Sequence, residues 1–126
     1  MDSRFKEWVY IEGLMQSAYH EAALKMNLSD SEFWSLYVFN FHQEGGNQSV
    51  LYKEACLTKS TVNSAIRKME QKDLLYLTPG EGRNTMVFLT EKGRKLMEDT
   101  VYKVIQIENT IYDTWTPEEQ KLFMKL

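Results

Sequence analysis

The sequence predicts a mainly α-helical fold with one small β-hairpin set into it. Three observations predict this. Apolar residues recur at three- and four-residue spacing through long segments near both ends of the chain. Only residues 74–77 and 85–89 are strand-like, rich in aliphatic and aromatic side chains, and a Gly-rich tip joins them. Directly before them stands a polar, basic segment, LTKSTVNSAIRKMEQKD, with a thin apolar stripe.

A length of 126 residues fits one domain and suffices to bury a core without disulfides or metal. The apolar share of 43% and charged share of 26% are ordinary for a globular chain. One cysteine cannot form an internal disulfide, which suits a reducing cytosol. No run of 18 apolar residues spans a membrane, and MDSRFKEWVY lacks the apolar core of a signal peptide. The expected location is the cytoplasm. The net charge of -3 is unevenly spread. Residues 53–95 hold nine Lys/Arg against five Asp/Glu, a local +4, and the remainder carries -7. A basic segment in an acidic chain is an electrostatic footprint for nucleic acid, or a chance clustering.

The elements follow in order. A first helix over 4–26 places Phe5, Trp8, Val9, Met15, Ala18, Tyr19, Ala22, Ala23 and Met26 at helical spacing. Ile11 and Leu14 widen this face beyond what one side of a single domain covers, so a partner subunit is expected. Asn27-Leu28-Ser29-Asp30 breaks the helix, and Ser29 with Glu32 forms a capping box for a second helix to residue 43. That helix is apolar nearly all round, which places it at the centre. Glu44-Gly45-Gly46-Asn47 reads as a turn. A short helix over 48–55 follows, then a helix capped by Thr58 and running to about residue 72. The latter buries Val62, Ala65, Ile66 and Met69 and exposes Lys59, Ser60, Asn63, Ser64, Arg67 and Lys68. After the hairpin, Thr90 caps one helix over 91–112, and Thr116-Pro117-Glu118-Glu119 opens a short last helix.

Two short helices, a tight turn and a second helix with a polar outer face make a helix-turn-helix, and the hairpin makes it winged. The element order and several motifs resemble the MarR family of transcription regulators. The residues that carry the resemblance are Leu57-Thr58-Lys59-Ser60-Thr61-Val62, Met69-Glu70-Gln71-Lys72 with Leu74-Leu75, and Leu89-Thr90-Glu91-Lys92-Gly93. Ser29-Asp30-Ser31-Glu32-Phe33 and Thr116-Pro117-Glu118-Glu119 look like the family's entries to its second and final helices. The chain departs from the family at Asp73, where Gly is usual, at Leu77, where arginine is frequent, and at Glu81, where the wing has Asp. Asp73 tolerates a left-handed conformation less easily than Gly.

The resemblance implies a homodimer built from residues 4–28 and 94–126, with residues 29–93 forming the DNA-binding region. It implies a pseudo-palindromic operator in double-stranded DNA, a recognition helix in the major groove and a wing arginine, Arg83, in the minor groove. The expected DNA contacts are Lys59, Ser60, Thr61, Asn63, Ser64, Arg67, Lys68, Arg83 and Asn84. Ser60, Asn63 and Ser64 suit base edges or phosphates, Arg67 and Lys68 suit phosphates. The competing reading of this face is an ordinary solvated helix surface. The expected activity is that of a transcription regulator, a repressor relieved by a small molecule. The alternative is a winged-helix protein-interaction module without DNA binding.

Trp8, Tyr19 and Trp34 are the leading candidates to wall a site for a small aromatic effector, or they are simply core and interface. Cys56 is expected to be a buried small apolar residue. His20 and His42 lack partners at metal-ligand spacing, so no metal or other cofactor is expected. No nucleophile stands with a base at useful spacing, and no phosphate loop occurs, so no enzymatic activity is expected.

Overall fold

The computed structural model describes residues 3–42, 45–82 and 85–125. Its elements are α1 (Ser3–Lys25), α2 (Asp30–Phe41), β1 (Gly45–Asn47), α3 (Gln48–Ala55), α4 (Lys59–Gln71), β2 (Leu75–Pro79), β3 (Thr85–Leu89), α5 (Glu91–Asp99), α6 (Val101–Asp113) and α7 (Pro117–Lys125). The fold is mainly helical, with a small antiparallel sheet in the order β1-β3-β2.

Helix α2 forms the centre, as its all-round apolar sequence predicts. Phe33, Leu36, Val38 and Phe39 are buried, with α4 supplying Val62, Ile66 and Met69 against them. Its start is fixed by a capping box: the Glu32 backbone N–H donates to Ser29 Oγ at 3.1 Å, and the Ser29 N–H donates to Glu32 Oε1 at 3.1 Å. Lys72, at the end of α4, reaches Glu32 at 3.3 Å and ties the two helices together.

Helices α1 and α4 end in the same way. Asn27 and Asp73 each take a left-handed conformation, with φ of 60°. The next N–H, of Leu28 or Leu74, bonds back to the carbonyl of Ala23 or Met69 at 2.9 Å, and both leucines are buried. These are Schellman closures with a non-glycine residue at the left-handed position.

The structure corrects three expectations. Gly45–Asn47 is not only a turn: it pairs as an edge strand with β3, Gly45 opposite Phe88 and Asn47 opposite Met86. A side chain at Gly45 would place its Cβ 2.3 Å from Phe88 Cδ1, so the glycine is there for close approach. The expected single helix over 91–112 is two helices. Thr100 leaves helical geometry (ψ -86°), and its hydroxyl donates to the Leu96 carbonyl at 2.6 Å, a local bond that competes with the helix ladder. Cys56 is exposed, not buried. It closes α3 in the left-handed conformation (φ 56°), which turns its side chain outward although Ala55 and Leu57 beside it are partly buried.

The hairpin strands pair in register from Leu75 opposite Leu89 to Pro79 opposite Thr85, so that β2 starts one residue later and ends two residues later than the strand-like stretch 74–77. Tyr76 stacks on Phe88 across them, ring centroids 5.5 Å apart. Gly93 shows why α5 begins as it does. A Cβ there would lie 1.8 Å from the Leu74 carbonyl oxygen, the same oxygen that accepts the Thr90 N–H at 3.0 Å. Glycine lets α5 press against the strand entry, just after its Thr90 cap.

Candidate nucleic-acid interface and the cleft behind it

Helix α4 is divided lengthwise. Val62, Ala65, Ile66 and Met69 are buried, while Lys59, Ser60, Thr61, Ser64, Arg67 and Lys68 are exposed. Spacings of three and four residues put Lys59, Asn63 and Arg67, and likewise Ser60, Ser64 and Lys68, along one outer surface. Thr58 caps the helix, accepting the Thr61 N–H at 3.2 Å. The Thr61 hydroxyl lies 2.6 Å from that of Thr58 and is part of the cap.

Asn63 is half-buried and engaged: its Oδ1 accepts a hydrogen bond from the side-chain amide of Gln48 at the start of α3. The Asn63 amide group keeps its two donors pointing away from that bond. Gln48 was not among the residues expected from the sequence. Its signal was faint: a polar residue directly after Asn47, whose side chain caps α3 by accepting the Ser49 N–H at 2.9 Å. The wing follows α4 directly, with Gly82 left-handed (φ 64°) at its tip. Arg83 and Asn84 lie outside the described residues.

Behind the helix-turn-helix, α1, α2 and α6 meet at one carboxylate. Tyr19 of α1 donates its hydroxyl to Glu108 Oε2, and Tyr37 of α2 donates to Glu108 Oε1 at 2.7 Å. Burial, then the Glu108 carboxylate, pushes both tyrosine hydroxyls well above their ordinary value of 10.0, which keeps them protonated as donors. Two clefts flank this junction. One, about 310 Å³, runs between α1 and α6, and the other, about 360 Å³, is closed by Trp115 and by Phe123 of α7. Tyr19 lines both. Trp34 stands behind it, ring centroids 5.1 Å apart. Trp8 is not brought to this place. It is eleven residues up α1 from Tyr19, roughly 16 Å along the helix, exposed and stacked on Phe5. Glu108 was missed in the sequence, where it is a lone acid among Ile105, Ile107 and Ile111.

The architecture has close counterparts among solved structures. AbsC from Streptomyces coelicolor, a MarR family transcriptional regulator, superposes with a TM-score of 0.80 at 18% identity, over 98% of this chain and 86% of that one. NadR in complex with 4-hydroxyphenylacetate gives 0.77 at 15% identity, over 99% and 89%. The MepR–DNA complex of Staphylococcus aureus gives 0.71 at 22% identity, over 95% and 89%. The chain has the MarR-family fold. No family model matches the sequence, and no curated protein does. The mainly helical chain with its small three-stranded antiparallel sheet matches the winged-helix fold of these structures. Among the described residues no helix is long and apolar enough to cross a membrane, and no group of three or more His, Cys, Asp or Glu gathers to hold a metal.

Proposed function

We propose that the chain is a cytoplasmic, homodimeric regulator of transcription that binds a pseudo-palindromic operator in double-stranded DNA and acts as a repressor relieved by a small molecule. The observation that carries this reading is the outer face of α4, polar and basic along its length, immediately followed by a wing. The fold shared with MepR, which was solved on DNA, supports it. In this reading residues 29–93 are the DNA-binding region. Ser60, Asn63 and Ser64 read base edges, with Gln48 orienting Asn63. Lys59, Arg67 and Lys68 hold phosphates, Thr61 sits at the helix start beside the backbone, and Arg83 and Asn84 meet the minor groove.

Residues 4–28 and 94–126 are the dimerising parts. Their support is the apolar surface that the protomer leaves uncovered outside the clefts: Trp8, Ile11 and Leu14 on α1, and Leu122 on α7, are all exposed. The effector site is the pair of clefts around Tyr19, backed by Trp34; Trp8 belongs instead with the dimer surface. NadR was solved with a small aromatic acid, which supports small-molecule control in this fold.

Fluorescence anisotropy with duplex DNA at two salt concentrations tests the reading. Phosphate contacts release counterions, so affinity should fall steeply with salt. The overall charge of -3 favours the second reading, a winged-helix protein-interaction module. That module would show no salt-dependent DNA binding at all.

A further inference from the structure

We propose that the Glu108 clefts bind an aromatic organic cation, and so that the effector is an amine or quaternary onium and not a phenolic acid. This rests on the reading of the clefts as the effector site, and it specifies the chemical class that the site selects.

Among the described residues that line the clefts, Glu108 is the one acidic group. Glu108 sits partly buried on α6, and both its oxygens are already held by Tyr19 and Tyr37. Those hydroxyl bonds orient the carboxylate, and neither donor brings a positive charge. Among the described residues that line the two clefts there is no Lys, Arg or His. An anionic ligand would place a second carboxylate beside Glu108 with no basic group to separate them, and a partly buried like-charge pair is strongly unfavourable. A cation meets the opposite: one carboxylate for its charge, with Tyr37, Tyr112 and Trp115 on the walls. Tyr112 and Trp115 pack at 5.1 Å, as do Trp115 and Phe123, so the rings form a continuous aromatic side to the cleft. Aromatic faces attract cations through the ring quadrupole. A volume of about 360 Å³ suits a ligand of one to a few rings. Because Tyr19, Tyr37 and Glu108 come from α1, α2 and α6, a cation that draws Glu108 toward itself acts at the junction of the DNA-binding helices with the ends of the chain.

Equilibrium dialysis of the full chain with tetraphenylphosphonium, an aromatic cation, tests this. Tryptophan fluorescence supplies a second readout. The expected result is one site per chain, with 4-hydroxyphenylacetate bound at least tenfold more weakly than the cation. Glu108→Gln keeps the shape and an acceptor for the tyrosines, and should weaken the cation at least tenfold. Glu118→Gln on exposed α7 should change nothing. If Glu108→Gln melts much earlier than the wild type, Tyr112→Leu replaces it and should weaken the cation severalfold. Equal binding of the cation by Glu108→Gln, or a preference for the acid, overturns the proposal. So does a Glu108→Gln protein that binds the cation normally but dissociates into monomers, since Glu108 would then serve a basic group of a second copy. None of these readouts needs DNA. A chain that holds the cation through Glu108 but ignores duplex DNA keeps the site and loses the regulator reading. A chain that binds duplex DNA but treats both ligands alike loses this site alone.

Discussion

Asp73 carries a cost that its neighbours make necessary. Its φ of 60° is where a Cβ crowds the following carbonyl, at roughly 1 kcal/mol for a residue other than glycine. The closure is kept because Leu74 must turn straight into the core, and because the Asp73 carbonyl accepts the Thr90 hydroxyl at 2.6 Å. Asp73→Gly relieves the strain without touching that bond, so stability should rise by about 0.5–1 kcal/mol, read as a higher urea midpoint. A lower midpoint would mean that the Asp73 side chain contributes something beyond its backbone. Glu32 makes a second prediction. Burial raises its pKa, but the Ser29 hydrogen bonds and Lys72 outweigh burial and hold it below the ordinary 4.5. A carboxylate depressed in the folded state stabilises above its unfolded value, and that stabilisation is lost as pH falls through the folded one. Glu32→Gln should therefore cost more stability at pH 7 than at pH 3, measured by denaturant unfolding at both. Glu32 was legible in sequence through the Ser29/Glu32 box, and Asp73 as a departure from the Gly usual in the family it resembles. Cys56 was not, because neighbours that are apolar say nothing about a left-handed backbone that turns one residue out.

Elements defined by local caps and periodicity were readable: α1, α2, α3, α4 and both wing strands fall close to their expected places. Elements defined by contacts far along the chain were not. Strand β1 exists only because β3, some forty residues later, offers it an edge, and Gly45-Gly46-Asn47 has no β-forming pattern of its own. The α5–α6 break depends on one threonine hydroxyl turning back on Leu96, which helical periodicity cannot show. Gly93 is the clearest case of an element fixed by one distant atom. Alanine normally gains up to about 1 kcal/mol over glycine in a helix. Here its Cβ would collide with the Leu74 backbone oxygen, which cannot move without breaking the Thr90 contact. Gly93→Ala should thus destabilise by about 2–3 kcal/mol, the scale of forced overpacking, and calorimetry would report a lowered melting temperature. If α4 reads DNA as proposed, Asn63→Ala or Ser64→Ala should reduce discrimination between operator and random duplex. Lys68→Ala should weaken both together and flatten the salt slope by about one unit. Competition binding at two salt concentrations separates the two kinds of contact, and a reversed pattern would refute their assignment. Gln48→Ala should resemble Asn63→Ala in a milder form, since it removes the amide that holds the Asn63 side chain.

At the scale of the whole molecule the fold leaves a debt at its two ends. Helix α1 buries only Ala23 among its described residues, although its sequence carries apolar side chains over most of its length. Helix α7 buries none, and its Leu122, Phe123 and Met124 are 60%, 55% and 73% exposed. An uncovered apolar surface of that kind, shared between the first and last helices, fits a two-fold interface in which each patch meets its own copy. The same symmetry would set two α4 helices about one DNA turn apart, as a pseudo-palindromic operator needs. Leu122→Glu isolates this step. The position is already in water in the protomer, so a charge there costs the protomer's own core nothing, whereas an apolar interface would have to bury an unpaired carboxylate. The expected result is a monomer by light scattering at micromolar concentration, with a melting curve for the protomer that no longer depends on concentration. Operator binding should fall to that of a single half-site. Ending the chain before Arg94 should remove dimer and operator binding together. If Leu122→Glu stayed dimeric and bound the full palindrome tightly, α7 would lie outside the interface and the pairing would rest on α1 and α6 alone.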